Sequence, residues 1–519
     1  MKRNIEEVDA QIHSAKRLHL GPSGCRSQFH ELPEELVSQI FSCIASELDS
    51  GFWNREPCMK IFLSLALTCR KFHRIVQDQL YYSVSLGNDN KGNGFYRAEL
   101  FLRFLRTVLL RPELGRSVKK IKLYSGETVN SGAFNDLYDA FDRVTFNRIF
   151  PLNSKQYRLL IEAAEREHTL LKSFWSLWDI SKAFKWPMHR ILFSLLPNLS
   201  DVTFEAESGV GLQSIASNVV PGDFCKSISS FNMLQSVETF SYTMYRNSGD
   251  QDVLWNNLLF LFQLPRIRCV DISGLFRYGL SDRTAIKEWR SVASAVERLK
   301  ITGGPAPAPW VKIPIDGCKH LRHFSICYDG SFGQRSDDWL SPLLTALASH
   351  STSLQTLSIA FSPSGYLHEI WPRHANPLRT TFRRQDSLYN FERLEQVELP
   401  SWFVTAWEDA SDVHLQTPRL KIWVPRSIRR LYIIMNGYSS LGDVERCLAV
   451  LAAEKTSYWP SLDRVELKEG GSVLSPNDDD ARYSKYTREN AVLEQSGITL
   501  TIPADWDEFH EESEEEYSD

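Results

Sequence analysis

The chain has 519 residues, 43% of them apolar, enough to bury several layers of core and, by length, to hold roughly two to four domains or one long repeat array. Its formal net charge is −5, yet residues 505–519 alone carry nine acids and no Lys or Arg, so the remainder is nearly balanced at +4, which gives no reason to expect nucleic acid as a main partner. No run of about eighteen apolar residues is present to span a bilayer, and Met1-Lys2-Arg3-Asn4-Ile5-Glu6-Glu7 lacks the apolar core of a secretory signal, so the expectation is no membrane and a cytoplasmic and/or nuclear protein.

Residues 1–29 mix charges with Gly21-Pro22-Ser23-Gly24 and read as a flexible lead-in. Pro33 suits a first helical turn, where its missing N–H costs nothing, and Glu34 and Glu35 favour the positive end of a helix. Behind that start, Leu36, Val37, Ile40, Phe41 and Ile44 form one apolar stripe, and Phe62, Leu65, Cys69, Phe72 and Val76 form a second. Two or three short helices of this kind sit near the lower size limit for a core that folds alone, which points to packing on a partner protein.

Taken together, Leu32-Pro33-Glu34-Glu35-Leu36, Ile40-Phe41, Leu67-Thr68-Cys69-Arg70-Lys71-Phe72 and the exit Leu80-Tyr81 resemble an F-box, over residues 30–86. The segment from Ala45 to Lys60 departs from the family in being longer than the usual connection between the two halves of the motif. The resemblance implies docking on a Skp-type adaptor and, through it, on a cullin. Leu32, Pro33, Leu36, Ile40, Phe41, Leu67, Cys69 and Phe72 match the motif and are the candidates for the adaptor interface or for the small core behind it.

Gly87-Asn88-Asp89-Asn90-Lys91-Gly92-Asn93-Gly94 is rich in turn residues and marks the expected domain boundary. From there to residue 504 one pattern recurs: an apolar residue, two others, an apolar residue, one other, an apolar residue. It occurs at Val118/Ile121/Leu123, Leu199/Val202/Phe204, Val237/Phe240/Tyr242, Ile267/Val270/Ile272 and Val296/Leu299/Ile301. It continues at Leu321/Phe324/Ile326, Leu354/Leu357/Ile359, Leu394/Val397/Leu399, Ile428/Leu431/Ile433 and Leu462/Val465/Leu467. The starts lie 81, 38, 30, 29, 25, 33, 40, 34 and 34 residues apart, near a leucine-rich-repeat period in the middle, and the first gap is wide enough to hold a further copy.

Helical stretches such as 343–348 and 444–451 fall between copies, so the expected unit is helix, loop, strand. The predicted fold class is an α/β repeat: a small N-terminal all-α F-box followed by a leucine-rich-repeat-like solenoid over 87–504. This part resembles the irregular leucine-rich repeats found after fungal-type F-boxes, but no Asn or Cys ladder follows the strands. Val492 to Ile502 reads as a last helix, a Gly stop and a closing strand, and 505–519 as an acidic disordered tail, either a solvating element or one that reaches basic positions such as Lys120 or Arg298.

Alternation along a strand aims the residues between the apolar ones at one exposed face. Candidate contacts for a protein substrate on that face are Asp201, Asp271, Arg298, Lys300, His323, Arg430 and Tyr432. The nine cysteines, at 25, 43, 58, 69, 225, 269, 318, 327 and 447, form no Cys-x-x-Cys pair and suit a reducing compartment. Cys318, His320, His323 and Cys327 have the side-chain types of a zinc site, but their spacing runs along a strand and aims them apart, so no metal and no cofactor is expected. Trp175 and Trp178 read as core, and His368 and His374 as loop residues.

No phosphate loop, nucleophile elbow or zinc-protease helix is present, so the chain is expected to be non-catalytic. The resemblance implies the substrate-recognition subunit of an SCF-type cullin-RING ubiquitin ligase. The alternative is a leucine-rich-repeat scaffold that binds the adaptor or other proteins without ligase assembly.

Overall fold

The structure, a computed structural model, describes residues 32–49, 55–86, 95–125, 148–151, 154–167, 191–206, 234–244, 258–259, 261–274, 292–303, 308–329, 340–362, 388–405, 420, 423–435, 441–469 and 490–501. The readings made above for 1–29, 87–94, Trp175, Trp178, His368, His374 and 505–519 fall outside these residues. The chain divides into two compact units, 1–81 and 82–519.

The first unit holds three helices: α1 (Glu34–Asp49), α2 (Arg55–Thr68) and α3 (Arg70–Tyr82), the last ending one residue into the second unit. The segment between Ala45 and Lys60 is for the most part helix, because α1 runs on to Asp49 and α2 starts at Arg55. The stripe from Phe62 to Val76 is broken at Cys69, whose carbonyl accepts the His73 N–H at 2.9 Å while its Sγ accepts the Phe72 N–H at 3.4 Å. Cys69 thereby caps α3, and one sequence stripe becomes two helices.

Val37, Phe41, Phe62, Phe72, Ile75 and Val76 form the core of this unit. Phe41 sits edge-on to Phe62 and Phe72, with ring centroids 6.1 and 5.9 Å away, the arrangement that the aromatic quadrupole favours. Lys71 Nζ closes the N-terminal side by donating to the Leu32 carbonyl at 2.6 Å, and Arg74 pairs with Glu34.

The second unit is organised on a twelve-stranded parallel sheet whose strands lie in sequence order. They are β1 (Ser83–Ser85), β2 (Lys120–Ser125), β3 (Asp201–Ala206), β4 (Thr239–Met244), β5 (Cys269–Ser273) and β6 (Arg298–Thr302). They continue with β7 (His323–Asp329), β8 (Thr356–Ser362), β9 (Gln396–Pro400), β10 (Arg430–Met435), β11 (Arg464–Glu469) and β12 (Thr499–Thr501). The connections carry α4 (Phe95–Leu110), α5 (Pro112–Ser117), α6 (Lys155–Glu167), α7 (Ala308–Asp316), α8 (Leu340–Ala348), α9 (Ser401–Thr405) and α10 (Leu441–Tyr458). Parallel neighbours require such crossovers.

The ten sequence copies coincide with β2 to β11, and register lines them up residue for residue. Each of their thirty apolar residues is no more than 2% exposed, so the three apolar positions of the pattern are three continuous columns of core. Strand β2 pairs directly with β3, Lys120 opposite Asp201, so the long first gap hides no further strand between them. The sheet instead gains β1, whose Ser-Val-Ser is too short to show the pattern.

Two hydrogen-bond ladders tie neighbouring units together, and both precede the strands. In the first, the residue before each of β2 to β11 donates its N–H to its counterpart one unit earlier, as from Glu297 to Arg268, Arg322 to Glu297 and Gln355 to Arg322, at 2.7–2.8 Å. In the second, a polar side chain just ahead of the first apolar column reaches a carbonyl of the preceding turn: Asn198 to Arg116 at 2.8 Å, Ser236 to Pro197, Ser353 to Leu321 and Ser427 to Leu394, each of these at 2.9 Å. Turn carbonyls that would be costly to bury unpaired are thus satisfied by short side chains. At the far end a helix over 490–495 stops at Gly497, φ 69°, where the Ile498 N–H reaches the Leu493 carbonyl and the Gly497 N–H the Glu494 carbonyl, the Schellman arrangement. Strand β12 follows directly.

Candidate functional site

The helical unit separates its motif residues into two sets. Phe41 and Phe72 belong to the core, and Leu32 and Cys69 are packed against it. Pro33, Leu36, Ile40 and Leu67 face solvent, with Leu67 61% exposed and Leu36 46%. Ile61 and Leu63 on α2 are about half exposed as well, and neither stood out in the sequence. Their signal was the run Ile61-Phe62-Leu63 followed by Leu65-Ala66-Leu67. A helix that turns only Phe62, Leu65 and Ala66 onto its core leaves the other apolar side chains of such a run outside. Leu36 and Ile40 lie one turn apart on α1, as do Leu63 and Leu67 on α2, so each helix carries an inner and an outer apolar strip. Exposed leucine and isoleucine concentrated in one small unit have the character of a protein-binding surface.

On the sheet, the substrate candidates fall into two groups and one outlier. Asp201 lies at the start of β3, two strands away from Asp271 on β5. Asp271, Arg298, Lys300 and His323 come together on β5 to β7. Lys300 Nζ is 3.4 Å from Asp271, and Arg298 stands opposite His323 in register. His323 shares a hydrogen bond with Thr356 Oγ1 at 3.1 Å. Burial, together with the nearby Arg298 and Arg322 guanidinium groups, lowers its pKa, which favours the neutral ring.

Arg430 and Tyr432 come together on β10. Arg430 is exposed between Gln396 and Arg464, and the Tyr432 ring lies 4.2 Å beneath the Lys468 ammonium. The same Lys468 donates to Glu398 Oε1 at 2.7 Å, and Ser358 donates to Glu398 Oε2 at 2.6 Å. Ser358 and Thr356 on β8 join the two groups but were not among the residues picked out from the sequence.

Cys318, His320, His323 and Cys327 do not converge. The Cys318 thiol is buried and donates to the Pro314 carbonyl at 3.2 Å, whereas His320 is exposed and His323 is turned toward Thr356. Among the described residues, no three His, Cys, Asp or Glu side chains are placed to hold a metal ion. Burial pushes the thiols of Cys318 and Cys447 up to about 12, so neither supplies a thiolate near neutral pH. Among the described helices none is long and apolar enough to cross a membrane.

No curated protein matches the chain in sequence. Residues 29–87 match the F-box-like family, so the three-helix unit with its exposed Leu36, Ile40 and Leu67 is an F-box-like domain, followed in this chain by a sequentially ordered parallel sheet.

Proposed function

We propose that the chain is the substrate-recognition subunit of an SCF-type cullin-RING ubiquitin ligase. The F-box-like domain docks on a Skp-type adaptor, and a leucine-rich-repeat-like solenoid binds a target protein through the outer face of its sheet. The observation that carries this reading is the complete Phe41/Phe62/Phe72 core lying beneath uncovered Pro33, Leu36, Ile40 and Leu67 in the segment that matches the F-box-like family. Ile61 and Leu63 join that contact surface. The chain contributes proximity: a target held on one unit and an adaptor on the other turn a rare encounter with the ubiquitin-carrying enzyme into an effectively intramolecular one.

The test is recovery of partners on the full chain from its own cell extract, beside a Leu36→Ser/Leu67→Ser double variant. Adaptor and cullin with the unaltered chain, and neither with the variant at equal melting temperature, is the expected result. Adaptor without cullin establishes the scaffold alternative, and absence of the adaptor from both samples sinks the reading.

A further inference from the structure

We infer that the outer face of β6 to β11 is a docking strip for the acidic segment 505–519 of this same chain. In-register pairing sets Arg298, His323, Thr356, Gln396, Arg430 and Arg464 in a single row across six strands, with no acid among them. Lys300 and Lys468 stand further along β6 and β11. Among the described side chains on this face of the six strands, five cations meet two carboxylates, and both carboxylates are taken: Glu398 by Lys468 and Ser358, and Glu466 by Arg464. Asp271 on neighbouring β5 is taken by Lys300. Among the described residues, Arg298 and Arg430 have no ion-pair partner, so their charge is available to a ligand.

The segment fits in charge and in reach. It holds nine acids and no Lys or Arg, and only Ile502, Pro503 and Ala504 separate β12 from Asp505. Strand β12 is the immediate neighbour of β11, and its last residue, Thr501, stands opposite Glu466, two residues past Arg464. The six strand spacings from β12 to β6 amount to about 29 Å, whereas the eighteen residues after Thr501 extend to about 60 Å. Every cation of the row is therefore within its span. Attachment to the same chain also gives the segment an effective concentration on the order of millimolar, which a free acidic ligand has to exceed. The segment accordingly acts as a resident competitor that a target must displace. The inference rests on the sheet face alone and stands whether or not the ligase assembles.

The test couples carboxylates to amines with a zero-length carbodiimide in the full chain at low ionic strength and maps the joined peptides. The expected products link residues 505–519 to Lys300 and Lys468, with a yield independent of protein concentration. That yield falls about fivefold at 0.5 M salt and again in Arg298→Ser/Arg430→Ser. Links spread equally over Lys60 and Lys155, or a yield indifferent to the two arginines, overturn the proposal. A yield that rises with protein concentration does so too, since it makes a second chain the occupant. A Glu511→Gln/Glu512→Gln/Glu514→Gln/Glu515→Gln/Glu516→Gln variant, melting at the same temperature, is expected to bind a synthetic 505–519 peptide added in trans. The unaltered chain is expected to bind it at least tenfold more weakly, and equal binding by both overturns the proposal.

Discussion

Lys468 on β11 reaches over Tyr432 on β10 to Glu398 on β9, so one ammonium joins three strands through an ion pair of 2.7 Å and a ring contact of 4.2 Å. Glu398 is held from the other side by Ser358. Because the carboxylate is only about a quarter exposed, 24%, the pair is less screened than a surface one. Glu398→Gln and Lys468→Met are each expected to lower stability by about 1 kcal/mol, with a coupling of about 0.5–1 kcal/mol in the double variant. Urea midpoints of the four proteins check this, and additivity would show that the bridge carries no energy of its own.

Phe41 and Leu67 belong to the same motif and are expected to respond in opposite ways. Phe41 is 2% exposed among two other rings, so Phe41→Ala removes about 3–5 kcal/mol, comparable to the whole stability of so small a unit. Leu67→Ser changes stability by less than about 0.5 kcal/mol but weakens adaptor binding by about tenfold or more. Thermal melts of the full chain, paired with an adaptor titration, separate the two effects.

Helix propensity favours alanine over glycine by about 0.5–1 kcal/mol, and on that ground Gly115→Ala in α5 should stabilise the protein. A Cβ there would stand 2.3 Å from the Leu195 carbonyl oxygen and 2.8 Å from Val108 Cγ1. The first of these is backbone that cannot rotate away, so the clash wins, and a net loss of about 1–3 kcal/mol is expected in denaturant unfolding.

His350 is buried, with Nε2 donating to the Ile315 carbonyl at 3.0 Å and Nδ1 unpartnered among the described residues. Burial lowers its pKa, against a smaller opposing effect of that carbonyl. The folded state thus holds fewer protons than the unfolded state once pH drops below the ordinary histidine value of about 6.5. Stability contributed by the neutral ring is complete above that pH and lost as pH falls toward the depressed folded value, by at most about 1.4 kcal/mol per pH unit. Chemical denaturation between pH 5 and 8 should show this slope, shallower in His350→Gln.

Local periodicity determined much of this protein. Thirty apolar residues in ten copies of a six-residue pattern named β2 to β11, because a strand buried on one face leaves alternation in the sequence, and Gly497 announced its turn because φ 69° suits a residue without a side chain. The F-box resemblance was legible for a similar reason, since Pro33, Glu34 and the stripe behind them are consequences of a helix start and one inward face. The adaptor candidates, however, could not be divided by sequence: Phe41 and Ile40 are neighbours and both large and apolar, and only the position of Phe62 and Phe72 decides which of them is inside.

Tertiary structure alone decided what depends on register between units. The Ser353 and Ser427 ladder, the Lys468 bridge and the row from Arg298 to Arg464 join residues 25 or more positions apart through connections of unequal length. Spacing in the chain does not reveal which side chains meet there. Pairing of parallel strands fixes that registration, because each backbone hydrogen bond sets one residue opposite another and every side chain in the sheet then follows.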